Sequence, residues 1–311
     1  EMRIITGSDR STRRIAAVGM YDGVHLGHKF LIEYLRLEAA SRGLTPAVIT
    51  FSRHPLSLLR PLESPGLLTP LDDRLRLLGQ AGADDVIMLT FNDSLRRKTA
   101  REFLNMLRLS YGIETLVLGF NNRFGHDRPD AFDDYKALGA EIGIEVIAAP
   151  EYCGAGAPVS SSVIRHHLLS GKPEKAAESL GQPYRLRGIV THGQSLGRTI
   201  GFPTANVEPT DKDSLIPKAG VYAAFVTTPD GVRRPAMVNI GFRPTVSDPD
   251  APGRLSIEAN IFDFIGYLYD EEVTVEFIRF LRDEKRFPSV EKLTEQLRAD
   301  AAKARKTLTR S

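Results

Sequence analysis

The sequence predicts an α/β domain built on a parallel sheet, followed by a small all-β domain and a final helix. A chain of 311 residues is long for a single compact core. Its first half alternates near-continuous apolar runs with helical patterns, which is typical of a parallel sheet covered on both faces. After Gly181-Gln182-Pro183 the chain shows short strands and Gly/Pro-rich turns instead, which indicate a barrel or a sandwich.

The strands and helices of the first half follow from hydrophobic periodicity. Short apolar runs predict strands at residues 15–18, 47–51, 85–91, 115–120 and 145–149. The intervening segments have helical spacing and predict helices at residues 29–41, 72–81, 100–111 and 131–142. Two further helices are predicted at residues 162–170 and 173–180. In such sheets ligands bind at the carboxyl ends of the strands.

The second half of the chain has the pattern of short strands rather than of alternating strands and helices. Strands are predicted at residues 184–191, 221–228, 233–240, 255–262 and 272–280, with no helix among them. The final helix is predicted from apolar residues at helical spacing, namely Leu293, Leu297, Ala301, Ala304 and Leu308. The domain boundary is placed near residue 182, which gives domains of 1–182 and 183–311.

Composition excludes several classes of protein. The 41 basic and 39 acidic side chains leave a net charge of +2, too balanced for a nucleic-acid-binding protein. Cys153 is the only cysteine, so neither an intrachain disulfide nor a CxxC metal site can form. No run approaches the roughly 18 apolar residues of a membrane helix, and the N-terminus lacks the apolar segment of a signal peptide. We therefore expect a cytoplasmic protein without a membrane partner.

A motif of ten residues, Gly19 to His28, lies between the first predicted strand and the first helix. Gly27 separates His25 from His28 and lets a ligand approach the backbone closely. The helix N-terminus offers free N–H groups to an anion, and the two imidazoles can stabilise charge on an α-phosphate during in-line attack. The alternative is a glycine-rich turn with two solvated histidines.

This motif resembles the GxFDGVHxGH sequence of bacterial FAD synthetases, a branch of the HxGH nucleotidyltransferases with a Rossmann-like α/β fold. Residues 119–125 resemble the G-x-[DN]-F-x-F-G loop of that family, and residues 159–165 resemble its vSSTxIR motif. The resemblance implies catalytic roles for His25 and His28. It implies ATP or phosphate binding by Gly19, Asp22, Gly23, Gly27, Asn121, Ser161, Ser162 and Arg165. Without the resemblance, the serines would be read as a plain helix cap.

The chain departs from the family pattern at several positions. Tyr21 and Asn122 stand where phenylalanine is usual, and Ser162 replaces a threonine but keeps the hydroxyl. Ser52 and Arg53 break the first half of the family's F-[ED]-P-H-P segment. His54, which completes that segment, either contacts the nucleotide or has a structural role at the strand end.

A second glycine-rich motif extends from residue 193 to 206. It is not a P-loop, because the nearest frame has Gln194 where the lysine must be. Residues 201–206 resemble the GFPTAN motif of riboflavin kinases, and the resemblance implies an antiparallel β-barrel. Thr204 and Asn206 alternate by two and supply hard oxygen ligands, and the resemblance implies that they bind Mg²⁺ and phosphate. ATP or flavin contacts are implied for Gly193, Gly197, Gly201 and Pro203.

Glu258 is the candidate catalytic base of the second domain. The segment from Leu255 to Asp263 resembles the family strand LEvHixdf, with Glu258 at the catalytic glutamate and Asn260 where histidine is usual. A kinase that acts on an alcohol usually positions such a carboxylate to accept the hydroxyl proton. Residues 239–245 resemble nIGxrPT. Residues 280–287 resemble flRxExkF, which implies ligand contacts by Arg282 and Phe287 unless these belong to a surface Arg/Glu cluster.

The resemblance covers about residues 14 to 305 and identifies the chain as a member of the bifunctional bacterial riboflavin kinase/FAD synthetase family. It implies that the C-terminal domain phosphorylates riboflavin to FMN with MgATP and that the N-terminal domain adenylylates FMN to FAD. Two alternatives stay open. One is a riboflavin kinase with an impaired first domain, suggested by Arg53 and Asn122. The other is a flavin-sensing regulator without turnover, against which the intact Thr204, Asn206 and Glu258 argue.

Overall fold

The computed structural model describes residues 2–53, 65–119, 123–127, 129, 131–152, 154, 159–192, 200–243 and 254–309. The chain forms two compact units. The first comprises Glu1–Pro65 and Thr69–Ser160, and the second comprises Gly66–Leu68 and Ser161–Ser311. The second unit thus begins before residue 182, because Ile164, Leu168, Ala176 and Leu180 belong to its core. The division of function at residue 182 stays a prediction.

The first unit is a six-stranded sheet with helices on both faces. Its elements are β1 (Arg3–Ile5), β2 (Arg14–Val18), α1 (Leu26–Arg42), β3 (Thr45–Phe51), α2 (Leu71–Gln80), β4 (Asp85–Leu89), α3 (Asp93–Arg96), α4 (Ala100–Tyr111), β5 (Ile113–Leu118), α5 (Phe132–Ile142) and β6 (Glu145–Ala148). The strand order is β1-β4-β3-β2-β5-β6, and every pair is parallel. The predicted parallel α/β sheet is confirmed.

Strand β2 shows why this sheet needs cover on both faces. All five of its residues are buried, and alternate side chains enter different cores. Ala16 and Val18 pack in the core that includes α4, whereas Ile15 and Ala17 pack in the core that includes α1 and α2. Strand β1 and helix α3 were not predicted, because three and four residues are too short to show periodicity.

The second unit is a closed antiparallel barrel with helices. Its elements are α6 (Ser161–Leu169), α7 (Pro173–Leu180), β7 (Tyr184–Thr191), β8 (Ala205–Pro209), β9 (Gly220–Thr227), β10 (Arg233–Arg243), β11 (Arg254–Ile261), β12 (Glu272–Arg282) and α8 (Val290–Leu308). The strands close in the order β10-β11-β8-β7-β12-β9. This confirms the barrel and the final helix. Strand β8 was not predicted as a strand, since its polar and proline residues resemble a loop.

Helix α8 covers the outside of the barrel through the apolar stripe predicted for it. Ala304 and Leu308 are buried against Val221 and Ala223 of β9. A leucine of the same stripe, Leu297, is partly buried in that cluster. The terminal helix therefore completes the fold by covering the outer face of β9.

Candidate active sites

The turn that follows β2 is the first candidate site. It continues the sheet for one residue, because the Gly19 N–H donates to the Ile49 carbonyl at 3.0 Å. It then turns sharply, with φ of 53° at Tyr21, 87° at Gly23 and 39° at Val24. Residues other than glycine rarely adopt such angles. Tyr21 and Val24 therefore each store about 1–3 kcal/mol of strain. Strain of this kind is common where the backbone must present groups to a ligand.

Tyr21 fixes the inside of this turn. Its ring is buried and its hydroxyl donates to the Ala17 carbonyl at 3.1 Å. A Cβ atom at Gly19 would lie only 3.0 Å from Cε2 of this ring. A side chain at position 19 would therefore crowd the Tyr21 ring, whatever contact this residue makes with a ligand.

The two histidines lie face to face where the turn enters α1. Their ring centroids are 3.6 Å apart and the planes differ by 15°. His25 is the N-cap of the helix, and its Nδ1 accepts the backbone N–H of His28 at 3.3 Å. An Nδ1 that accepts leaves the proton of a neutral imidazole on Nε2, so His25 presents Nε2–H as a donor. A Cβ at Gly27 would lie 3.3 Å from the His25 ring.

Both imidazoles are neutral at physiological pH. Burial, aided by the charge of Lys29, lowers the pKa of His25 to about 4. Burial and the neighbouring His25 hold the pKa of His28 well below its usual value. The Nδ1 atom of His28 is buried without a hydrogen-bond partner in the described structure. A buried polar atom without a partner is costly, and here it belongs to the last residue of the motif assigned to phosphate.

Asp22 and Gly23 are held by a residue that sequence reasoning missed. The Asp22 carboxylate accepts hydrogen bonds from Thr69, from its backbone N–H at 3.0 Å and from its side-chain hydroxyl at 3.3 Å. The Gly23 N–H donates to the same hydroxyl at 2.8 Å. Thr69 lies far from the motif in sequence and matches no pattern, so only the fold reveals it. These contacts give Asp22 a role in shaping the turn.

The remaining residues to which the family resemblance assigns ATP or phosphate binding beside the histidines are placed as follows. Ser161 begins helix α6 in the second unit, and Ser162, next to it, is exposed. Arg165, on the same helix, donates from Nε to the Gly66 carbonyl at 2.8 Å. Asn121, Asn122 and His54 lie outside the described residues.

The second candidate site lies on adjacent barrel strands. Asn206 of β8 is directly opposite Glu258 of β11 in the antiparallel register, so both side chains lie on one face. The Thr204 hydroxyl donates to Oε2 of Glu258 at 3.3 Å. The barrel therefore brings together the three polar residues that sequence analysis selected for the kinase domain.

Asn260 fixes the approach of the 201–206 segment. It is buried, and its amide donates to the Pro203 carbonyl at 2.7 Å. Gly201 has a φ of 80°, which favours glycine. Asn260 thus anchors the backbone just before Thr204, a role that sequence analysis did not assign. Gly193 and Gly197 lie outside the described residues.

Two cavities adjoin these strands. Thr204 lines one of about 120 Å³, together with Tyr267 and Tyr269. Asn206 lines another of about 310 Å³, together with His192 and Lys212. The rings of His192 and Tyr269 stack with centroids 3.9 Å apart.

Arg282 is engaged by the protein itself. Its Nε donates to Oδ2 of the buried Asp300 on α8 at 2.8 Å, and its Nη1 donates to the Asp283 carbonyl at 2.9 Å. Its guanidinium carbon lies 5.7 Å from the centre of the Phe287 ring. These contacts give Arg282 a part in fastening the terminal helix.

The described residues contain neither a cluster of metal-binding side chains nor a membrane-spanning helix. Among the described residues, no three His, Cys, Asp or Glu side chains are arranged to hold a metal ion. The hydroxyl, amide and carboxylate groups around Glu258 are nevertheless the hard oxygen donors that suit Mg²⁺ shared with phosphates. Over the described ranges, no helix is both long enough and apolar enough to cross a membrane.

Models of two protein families match the chain. The FAD synthetase family matches residues 8–163, and the riboflavin kinase family matches residues 180–308. The matched ranges contain the histidine turn and the Thr204–Glu258 pair, respectively.

Several relatives match nearly the whole chain, and each is named bifunctional riboflavin kinase/FMN adenylyltransferase. The Pseudomonas fluorescens protein is 37% identical over 94% of this chain and 92% of its own length. The Bacillus subtilis protein is 33% identical over 95% of this chain and 93% of its own length. A crystal structure described as a macrolide-efflux protein from Streptococcus pneumoniae superposes with a TM-score of 0.85, at 29% identity over 98% of both chains.

Proposed function

The chain belongs to the family of bifunctional riboflavin kinase/FMN adenylyltransferases, and we propose that it makes FAD from riboflavin in two ATP-dependent steps. The second unit converts riboflavin to FMN, and the first converts FMN to FAD. The observation that carries the proposal is the chemical difference between the two sites. One presents two neutral imidazoles at a helix N-terminus, and the other presents a carboxylate beside a hydroxyl.

The barrel site suits transfer of a γ-phosphoryl group to an alcohol. Glu258 accepts the proton of the riboflavin 5′-hydroxyl. The 5′-oxygen of riboflavin bonds to the γ-phosphorus of ATP, and ADP leaves. Thr204 and Asn206 would hold Mg²⁺, which neutralises charge on the phosphates when it is bound. Because Thr204 contacts Glu258 directly, the base and the metal-binding hydroxyl are positioned by the same two strands.

The histidine site suits adenylyl transfer. The FMN phosphate is already anionic at neutral pH, so it attacks the α-phosphorus of ATP without a base, and pyrophosphate leaves. Nε2–H of His25 and the imidazole of His28 stabilise the charge that develops on the α-phosphate oxygens. We further propose that Asn121, Ser161, Ser162 and Arg165 bind the triphosphate.

The functional division follows the proposed domains, with adenylylation in residues 1–182 and riboflavin phosphorylation in residues 183–311. We also propose a cytoplasmic location. A chain whose only cysteine is Cys153 needs no oxidising compartment.

One assay separates this proposal from the alternatives. The protein is incubated with riboflavin and MgATP, and the flavins are resolved by chromatography. Formation of FAD supports the bifunctional enzyme, and FMN alone supports a riboflavin kinase with an impaired first domain. Binding of riboflavin without any product would support a flavin-binding regulator and would overturn both enzymatic assignments.

A further inference from the structure

A buried arginine lies at the catalytic edge of the parallel sheet, and neither motif accounts for it. Arg74 is the fourth residue of helix α2, and only 1% of it is exposed. Removing a guanidinium from water costs several kcal/mol unless hydrogen bonds and an opposite charge compensate. The contacts of Arg74 therefore indicate which role accounts for burying this charge.

The guanidinium is only partly satisfied. Its Nη2 donates to the Phe51 carbonyl at 2.5 Å, and its Nη1 lies 3.6 Å from the sulfur of Met20. Its Nε has no hydrogen-bond partner, and no carboxylate of a described residue lies within ion-pair distance. Burial lowers the pKa of Arg74, and the charge of Asp22 acts in the opposite direction. Within the described part of the chain, Arg74 is thus a buried cation that no carboxylate contacts.

Arg14 is a second buried arginine of this unit, and, unlike Arg74, it pairs directly with carboxylates. Its Nε lies 2.7 Å from Oδ2 of Asp85, and its Nη2 lies 2.6 Å from Oδ2 of Asp9. Its Nη1 also donates to the Tyr111 carbonyl at 2.7 Å. Arg14 begins β2, whereas Met20, beside Arg74, follows the end of that strand. At the amino edge of the sheet, the charge of Arg14 pairs directly with two carboxylates. At the carboxyl edge, Arg74 contacts no carboxylate of a described residue.

The carboxyl edge is where the anionic substrate is expected. Phe51 is the last residue of β3, and Met20 directly precedes the strained turn that leads to the two histidines. The Met20 carbonyl also accepts the Thr50 hydroxyl at 3.2 Å. Arg74 thus joins the ends of two neighbouring strands beneath the phosphate motif, where parallel sheets bind ligands.

We propose that Arg74 is a positioning residue for adenylyl transfer. Arg74 joins the ends of β2 and β3, and its charge supplies positive potential beneath the turn that binds the triphosphate. The proposal rests on the function proposed for the first unit. A fixed charge in a site of low dielectric attracts phosphate more strongly than an exposed one does, and it needs no direct contact. A carboxylate in contact with Arg74 would cancel this effect.

The test compares Arg74→Met, Arg74→Lys and the control Arg76→Met. Arg76 lies on the same helix but pairs with Asp73 near the surface, so its replacement removes the same charge without touching the buried site. Steady-state kinetics give KM for MgATP and kcat in the conversion of FMN to FAD. Calorimetry with magnesium pyrophosphate measures anion affinity without turnover. Riboflavin phosphorylation by the second unit serves as an internal control.

We expect Arg74→Met to weaken pyrophosphate binding and raise KM for MgATP by about tenfold, equivalent to about 1.4 kcal/mol. Arg74→Lys should retain most of the affinity, and Arg76→Met should retain all of it. FMN production should be unchanged in every variant. The Lys variant separates charge from packing, because it restores the cation but not the planar fork.

The proposal is overturned if Arg74→Met lowers only the melting temperature and leaves pyrophosphate affinity and KM unchanged. If Arg74→Met does not fold, Arg74→Gln and Arg74→Lys decide the question, and equal pyrophosphate affinities would contradict it. If the wild-type protein forms no FAD, the proposed function fails, whereas the pyrophosphate measurement still tests the role of Arg74.

Discussion

The hydroxyl of Thr204 donates to the carboxylate of Glu258 at 3.3 Å, although the two residues are 54 positions apart in sequence. Neither residue is distinctive alone, since each type is common on solvated strands. Strands β8 and β11 bring them together and place Asn206 on the same face. The barrel thereby brings two separate motifs together in one candidate site.

Replacement of Glu258 should remove the first step only. Glu258→Ala is expected to lower riboflavin phosphorylation about 100-fold or more, because a positioned base contributes that much to proton transfer. Conversion of FMN to FAD should be unchanged. Glu272→Gln is a suitable control, since Glu272 lies in the same unit and pairs 3.7 Å from Arg187. Equal loss of both activities in folded Glu258→Ala would contradict the assignment.

The histidine turn predicts a pH-dependent stability. Because the folded-state pKa of His25 is about 4 against an ordinary value of 6.5, the unfolded chain binds more protons between those values. The stability from His25 is therefore complete above pH 6.5 and is lost progressively as pH falls towards 4. His25→Asn keeps an N-cap acceptor but removes this titration.

Urea unfolding of the wild type and of His25→Asn at several pH values measures this effect. The acid-induced loss of stability should be smaller in His25→Asn. Identical pH dependence in the two proteins would show that His25 is not buried in its neutral form.

The amide of Asn260 is predicted to set the geometry of the kinase site. Asn260→Leu leaves the Pro203 carbonyl without its donor and should lower kcat/KM for riboflavin phosphorylation about tenfold, since a lost buried hydrogen bond costs about 1–3 kcal/mol. Asn260→His, which restores the residue usual in the family, should retain activity. A fully active Asn260→Leu variant would show that this contact does not position Thr204.

Breaking the buried ion pairs at the amino edge of the sheet should strongly destabilise the first unit. Arg14→Met leaves Asp9 and the buried Asp85 without this partner, and should lower the free energy of unfolding by about 3–5 kcal/mol. Arg3 also pairs with Asp85, but its side chain is 53% exposed. Arg3→Met should therefore cost about 1 kcal/mol or less. Similar losses in the two variants, measured by urea unfolding, would contradict this ranking.

Long periodic elements could be predicted from the sequence because burial imposes a pattern on them. Helix α4 and strand β7 have the predicted bounds, since each buries an apolar face along its whole length. Strand β1 was missed because three residues show no period. Strand β8 was missed because Asn206 and Pro209 resemble loop residues until the barrel pairs them.

The residues that support the sites were harder to predict than those assigned to chemistry. Sequence analysis selected His25, His28, Thr204 and Glu258 because each lies in a short continuous segment that resembles a family motif. Thr69 and Arg74 act through hydrogen bonds to Asp22 and Phe51, which are distant in sequence. No local pattern encodes such contacts, so they become visible only in the fold.

The most direct test of the account is a flavin time course from riboflavin and MgATP with His28→Ala, with Glu258→Ala and with an equimolar mixture of the two. If each unit performs one step, His28→Ala accumulates FMN only, Glu258→Ala forms neither product, and the mixture forms FAD after FMN appears. FAD formation by either variant alone, or a mixture that forms FMN without FAD, would contradict the assignment of one reaction to each unit.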